Sequence, residues 1–134
     1  MTTFRVDERH RHDLPQWLYW AATGPFLVIF LGSIALTFGD LAGTYAEFVR
    51  LGYPVFLAVP LGVAKVLGLA AILSRRSRLL TGLAFAGFFY DTLLALAVHL
   101  AQRDVPSIAL ATTGMLATVA AFLVHERRFG GTTR

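Results

Sequence analysis

The chain has 134 residues, 56% of them hydrophobic and only 15% charged, with a formal net charge of +4. A soluble domain carries about 25% charged residues, so this is a membrane composition. The basic balance does not point to nucleic acid, because the arginines gather at the ends of apolar runs. The absence of cysteine excludes disulfides, thiol nucleophiles, thiolate metal centres and CxxC redox chemistry for this chain.

The N-terminal segment carries Arg5, Arg9 and Arg11, with His10 and His12 beside Asp7, Glu8 and Asp13. Nothing in their spacing fixes a coordination geometry, so no metal site is assigned. The first apolar run, 18–38, is too long for the core of a signal peptide and is followed by no small-residue cleavage pattern, so it is expected to be a retained helix. Trp17, Tyr19 and Trp20 at its start are the residue types that anchor a span at the membrane interface. Residues 39–54 follow. Leu41, Tyr45, Phe48 and Val49 recur there at helical spacing among Asp40, Glu47 and Arg50, which predicts a short amphipathic helix in the outer loop, a connector or a lid.

Three more apolar runs cover about 55–73, 79–100 and 105–124. Each run approaches the ~20 residues needed to cross a ~30 Å hydrocarbon core. The expected fold is therefore an all-α integral membrane protein, one domain over 1–134, with four transmembrane helices in an antiparallel bundle. Nine arginines lie in the N-terminal segment, the 74–78 turn and the C-terminal tail, against two, Arg50 and Arg103, in the other loops. The positive-inside rule then predicts both termini in the cytoplasm. Thr112, Thr113 and Thr118 in the last run are expected to bond backbone carbonyls or neighbouring helices.

The single lysine, Lys65, falls in the middle of the second run. An ammonium at bilayer depth costs roughly 2.5–3.5 kcal/mol on insertion scales, so it calls for a partner. The third run carries Asp91. Lys65 is ten residues from Arg75 and Asp91 thirteen from Arg78, which at ~1.5 Å per residue gives depths of about 15 and about 20 Å from a shared turn. A lysine side chain bridges that difference, so the two are predicted to form an intramembrane salt bridge between neighbouring helices. Gly87, Asp91 and Ala95 form a small-residue stripe, matched by Gly62, Ala64 and Gly68 around Lys65, as in close helix crossings. Pro60, one turn before Lys65, is expected to kink its helix. His99, at the end of the third run, Tyr53, Glu47 and Tyr90 complete the set of ligand-binding or proton-relay candidates, with Asp40 nearby.

Several of these residues stand in a recognisable order. They are Leu51-Gly52-Tyr53-Pro54, then Leu61-Gly62 with Lys65 and Gly68, then Ala84-Phe85-Ala86-Gly87-Phe88 with Asp91, then Leu96-Ala97-Val98-His99. The chain resembles the DoxX-like family of small bacterial four-helix membrane proteins over about 20–124. The family has a lysine and a histidine at the positions of Lys65 and His99. It commonly has a tryptophan and charges near the start of the third helix, where this chain reads Leu80-Thr81-Gly82-Leu83. The resemblance implies residence in the bacterial plasma (inner) membrane. It also implies a link to quinone-dependent sulfur oxidation, respiratory or oxidative-stress complexes. Quinone or another lipophilic ligand is the candidate cofactor. The bilayer, other membrane or redox-complex subunits and a second copy of the chain are the candidate partners.

Different functional classes fit these residues. One is a subunit or binding protein for a lipophilic ligand, with Lys65 on a carbonyl or anionic oxygen. Another is a non-catalytic scaffold or assembly partner, in which the salt bridge only locks two helices. A third is a proton-coupled small-molecule transporter. Lysine, aspartate and histidine also serve acid–base chemistry, but no spacing here names a substrate.

Overall fold

The computed structural model describes residues 14–130, all helix and short turns. Helix α1 spans Gln16–Gly39, α2 Leu41–Leu51, α3 Ala58–Ser74, α4 Arg78–Gln102 and α5 Val105–Phe129, with one 3-10 turn, Val55–Leu57, ahead of α3. Four segments are long and apolar enough to cross a membrane: Gln16–Gly39, Val55–Ser74, Arg78–Gln102 and Val105–Phe129. The predicted runs match these closely, except that α5 continues past 124. Leaving the apolar run does not end the helix: His125 packs on Phe85 and Phe129, Glu126 pairs with Arg78 and Arg128 lies over Tyr19. The basic His10 and His12 segment lies outside the described residues, as do residues 131–134.

The connections are short because single residues both end one helix and begin the next. The Asp40 backbone N–H donates to Leu36 O at 3.1 Å, closing α1, while its side chain accepts from Gly43 N at 2.8 Å, capping α2. Gly52, at φ +78, ends α2 in the left-handed turn that glycine adopts without strain. Ser77 caps α4 by accepting from Leu80 N at 3.3 Å. The expected kink at Pro60 is not what the helix start requires: α3 begins at Ala58, so Pro60 sits in the first turn, where its missing N–H has no intrahelical acceptor to lose. The proline inside a helix is Pro25, in α1.

The helices form a ring in which α1 packs on α3 and α5, and α4 packs on α3 and α5. Phe26 and Phe30 of α1 meet Phe85 and Phe88 of α4 across its centre, with ring centroids 4.3–5.5 Å apart. Leu69 and Ile72 of α3 and Ala117 and Ala121 of α5 complete this buried core. Small residues set the crossings. A Cβ on Gly68 would come within 3.0 Å of the Phe88 ring, one on Gly62 within 2.9 Å of Phe38, and one on Gly114 within 3.2 Å of Thr92. Gly87, expected at a helix contact, instead faces open space, with nothing within 4 Å of where a Cβ would stand. Outward, Val28, Leu36, Phe56 and Leu79 are 71–75% exposed. This apolar exterior suits lipid, not water.

Candidate functional site

One turn beyond the aromatic core, the interior becomes polar on three helices at once. Along α1, Phe26 and Phe30 give way to Ser33 and Thr37. Along α3, Ile72 and Leu69 give way to Lys65. Along α4, Phe85 and Phe88 give way to Asp91 and Thr92. Lys65 Nζ lies 3.2 Å from Asp91 Oδ2 and donates to Ser33 Oγ at 3.1 Å. The expected Lys65–Asp91 partnership is therefore present as an ion pair, and Ser33 adds a third helix to it. The pair is only partly sealed, with Lys65 and Asp91 side chains 18% and 28% exposed. Of the three N–H donors of the ammonium, one goes to Ser33 Oγ, and Asp91 faces the group as its ion-pair partner.

The floor and the roof of this polar layer differ. On the side of the 75–78 turn it is closed by Phe26, Phe30, Leu69, Ile72, Phe85 and Phe88. On the other side lie α2, Tyr53 and the α4–α5 turn. Burial pushes the Tyr53 phenol above its ordinary value, and the charge of Asp91 adds to the shift. The two groups are thus within electrostatic reach.

A second polar cluster joins α2 to the α4–α5 turn. The Arg50 guanidinium forks onto both carboxylate oxygens of Glu47, with Nε donating at 2.7 Å. Its Nη1 donates to Gln102 Oε1 at 2.8 Å, and Gln102 Nε2 donates back to Arg50 O at 3.1 Å. Asp104 Oδ2 accepts from Ser107 at 2.6 Å and lies 3.8 Å from Arg50 and 3.7 Å from His99 Nδ1. Hydrogen bonds from Arg50 hold the Glu47 carboxyl below its ordinary range, and the Ser107 hydroxyl does the same for Asp104. His99 Nδ1 is buried with no hydrogen-bond partner among the described residues: at 3.7 Å Asp104 is a charge neighbour, too far for a bond.

The candidates named from sequence therefore separate. Lys65 and Asp91 are together, Tyr53 lies toward them from the α2 side, and Glu47 and His99 belong to the second cluster. Tyr90 is 61% exposed, packs edge-on against Phe89 and points away from both. Sequence reasoning did not single out Ser33, Gln102 or Asp104. Ser33 carried only a weak signal, as one of three aliphatic hydroxyls in the first apolar run with Thr23 and Thr37. Gln102 and Asp104 carried none, since polar residues flank every span. The three threonines of α5 behave as expected, bonding the carbonyls one turn back at 2.7–2.8 Å.

No curated protein and no solved structure matches the chain. A family model does, the DoxX-like family, over residues 19–123. That match takes in part or all of each of the four long helices and both polar clusters, and the chain is a membrane protein belonging to the DoxX-like family.

Proposed function

We propose that this protein is a membrane-embedded subunit or binding protein for a lipophilic molecule with a carbonyl or anionic oxygen, received at Lys65 within the bilayer. One observation carries the reading. Lys65 is held between Asp91 and Ser33, is only partly sealed, and has an aromatic floor beneath it. An intramembrane ionisable group marks a functional site by default, and here the aromatic core closes one side of it. Quinones have the required carbonyl oxygens and apolar body, and a quinone-linked redox or oxidative-stress complex is the setting proposed. Asp91 holds the Lys65 ammonium in place. Tyr53 and His99 stand on the open side, where a proton would enter or leave. The chain is proposed to reside in the bacterial plasma membrane with both termini cytoplasmic, which places the open side outward.

The test is organic extraction of protein purified in mild detergent, followed by mass spectrometry. Wild type should carry a lipid-soluble compound, and Lys65→Ala should carry at least several-fold less. Equal amounts in the two proteins would remove the reading.

A second reading is favoured by the fact that the same contacts tie α1, α3 and α4 together: a scaffold with no ligand, in which the cluster is a lock. It predicts that a folded Lys65→Met/Asp91→Leu protein still assembles with its partners. The aromatic floor counts against the third reading, proton-coupled export, because a transported ion would have to cross it.

A further inference from the structure

We propose that the arginine-rich end of the bundle holds a binding site for a phosphate group, separate from the Lys65 layer. A cavity there is lined by Arg75, Arg78, Thr81, His125, Glu126 and Phe129. It lies where α3 ends, α4 begins and α5 ends, on the far side of the aromatic floor from Lys65. Its charges are not all in use. Arg78 Nη2 donates to Glu126 Oε2 at 2.9 Å, which neutralises the carboxylate. Arg75 has no carboxylate partner among the described residues. Its guanidinium lies 4.4 Å over the Phe129 ring, a stack that orders the group while leaving its edge donors available.

His125 supplies the second observation. Its residue is only 5% exposed, packed between Phe85 and Phe129 at 5.5 and 5.0 Å, and its Nδ1 is buried with no hydrogen-bond partner among the described residues. A buried ring nitrogen left unpaired costs free energy that a ligand oxygen would recover. Thr81 is occupied, since its hydroxyl donates to Ala71 O at 3.4 Å. The donors to spare are therefore the planar fork of Arg75 and the remaining N–H groups of Arg78, joined by the unpaired His125 Nδ1 in its Nδ1–H tautomer. A fork beside a ring nitrogen suits the several oxygens of a phosphate better than it suits a halide or a single carbonyl. The cavity opens at the ends of spanning helices, the level at which lipid phosphates lie, so a phospholipid headgroup and free phosphate are the two sources.

The test uses the full chain in detergent, titrated with dioctanoyl phosphatidylglycerol, dioctanoylglycerol and inorganic phosphate. Binding is read from the NMR resonances of the His125 ring. The phosphate-bearing lipid is expected to shift them saturably, and dioctanoylglycerol to leave them in place. Arg75→Ala is expected to weaken binding about tenfold, the loss of one charge-assisted pair. Arg127→Ala, an exposed arginine outside the cavity, should change it less than twofold. His125→Gln, which keeps a side-chain donor, should weaken lipid binding less than His125→Leu, with lipid adducts counted by native mass spectrometry. Tighter binding of the lipid than of inorganic phosphate assigns the site to a headgroup, and equal binding assigns it to the free anion. An unmoved His125 ring with both phosphate ligands, an equal shift with dioctanoylglycerol, or equal weakening by Arg75→Ala and Arg127→Ala would overturn the proposal.

Discussion

At the scale of residues, the Lys65 cluster is governed by the asymmetry between losing one charge and losing two. Removing a single partner from a buried ion pair leaves the other uncompensated and costs about 3–5 kcal/mol, whereas replacing both by apolar residues is often close to neutral. Lys65→Met or Asp91→Leu alone should therefore lower the midpoint of thermal unfolding in detergent sharply, and the double variant should recover most of the loss. Strictly additive losses would mean that the two charges are not coupled. Ser33→Ala removes one hydrogen bond to a charged group, worth about 1.5–3 kcal/mol at most. Because Asp91 remains, the same melting measurement should show a smaller loss than Lys65→Met. The salt bridge itself was legible in the sequence, since two charges at similar depth on helices joined by a five-residue turn have few other options. Ser33 was not, because a hydroxyl in an apolar helix more often bonds the carbonyl one turn back, as Thr37 does to Ser33 O at 2.9 Å.

At the scale of elements, α2 is held by polar contacts where the long helices are held by packing. None of its residues is buried, and its tie to the α4–α5 turn runs through Arg50, Glu47, Gln102 and Asp104. Glu47 and Asp104 both have carboxyl values lowered in the folded chain from ordinary values of 4.5 and 3.8. Groups shifted down stabilise fully above their unfolded values and lose that contribution as pH falls through the folded ones. The tie should thus be intact at neutral pH and release below about pH 4. Hydrogen exchange of the Leu41–Leu51 amides, corrected for intrinsic rates, should rise there relative to α4, and Arg50→Gln should show the raised exchange already at pH 7. The amphipathic pattern of Leu41, Tyr45 and Val49 disclosed this helix in advance; what it docks on depended on Gln102, distant in sequence and unremarkable by itself. The crossings behave similarly. Gly62, Gly68 and Gly87 read alike along the chain, yet only the first two meet a neighbouring helix. Helix rotation decides that, and a window of small residues leaves rotation open. Gly68→Ile, which must displace the Phe88 ring, should cost about 1–3 kcal/mol by overpacking, whereas Gly87→Ala should be neutral or slightly stabilising, since alanine favours helix by up to ~1 kcal/mol over glycine. Unfolding in a denaturing detergent gives both values.

At the scale of the whole molecule, the bundle is two different halves stacked along one axis. One half is an aromatic plug ending in arginines, and the other is a polar layer ending in α2. Arg75, Arg76, Arg78, Arg127 and Arg128 all lie at the plugged end, and Arg50 and Arg103 at the other. Arginine translocates poorly during insertion, so the arginine-rich end should stay in the cytoplasm. On that prediction the polar layer faces outward, and a ligand for it is expected to arrive from the outer leaflet or the outer aqueous side. The absence of native cysteine makes this directly measurable, because a single introduced cysteine is the only thiol. Ser74 and Thr44 are suitable positions, Ser74 exposed beside the arginine turn and Thr44 half-buried on α2. In intact spheroplasts, a membrane-impermeant maleimide should label Thr44→Cys and leave Ser74→Cys unlabelled until the membrane is permeabilised. The reverse pattern would turn the molecule over and put the Lys65 layer in contact with the cytoplasm. Moving charge should also move the result. Arg75, Arg76 and Arg78 each replaced by glutamine weaken the retention signal of the turn, while the C-terminal pair, Arg127 and Arg128, keeps the same end basic. Orientation should therefore hold in the triple variant, and mixed labelling should appear only when the other arginines on that side, Arg5, Arg9, Arg11, Arg127, Arg128 and Arg134, are neutralised as well.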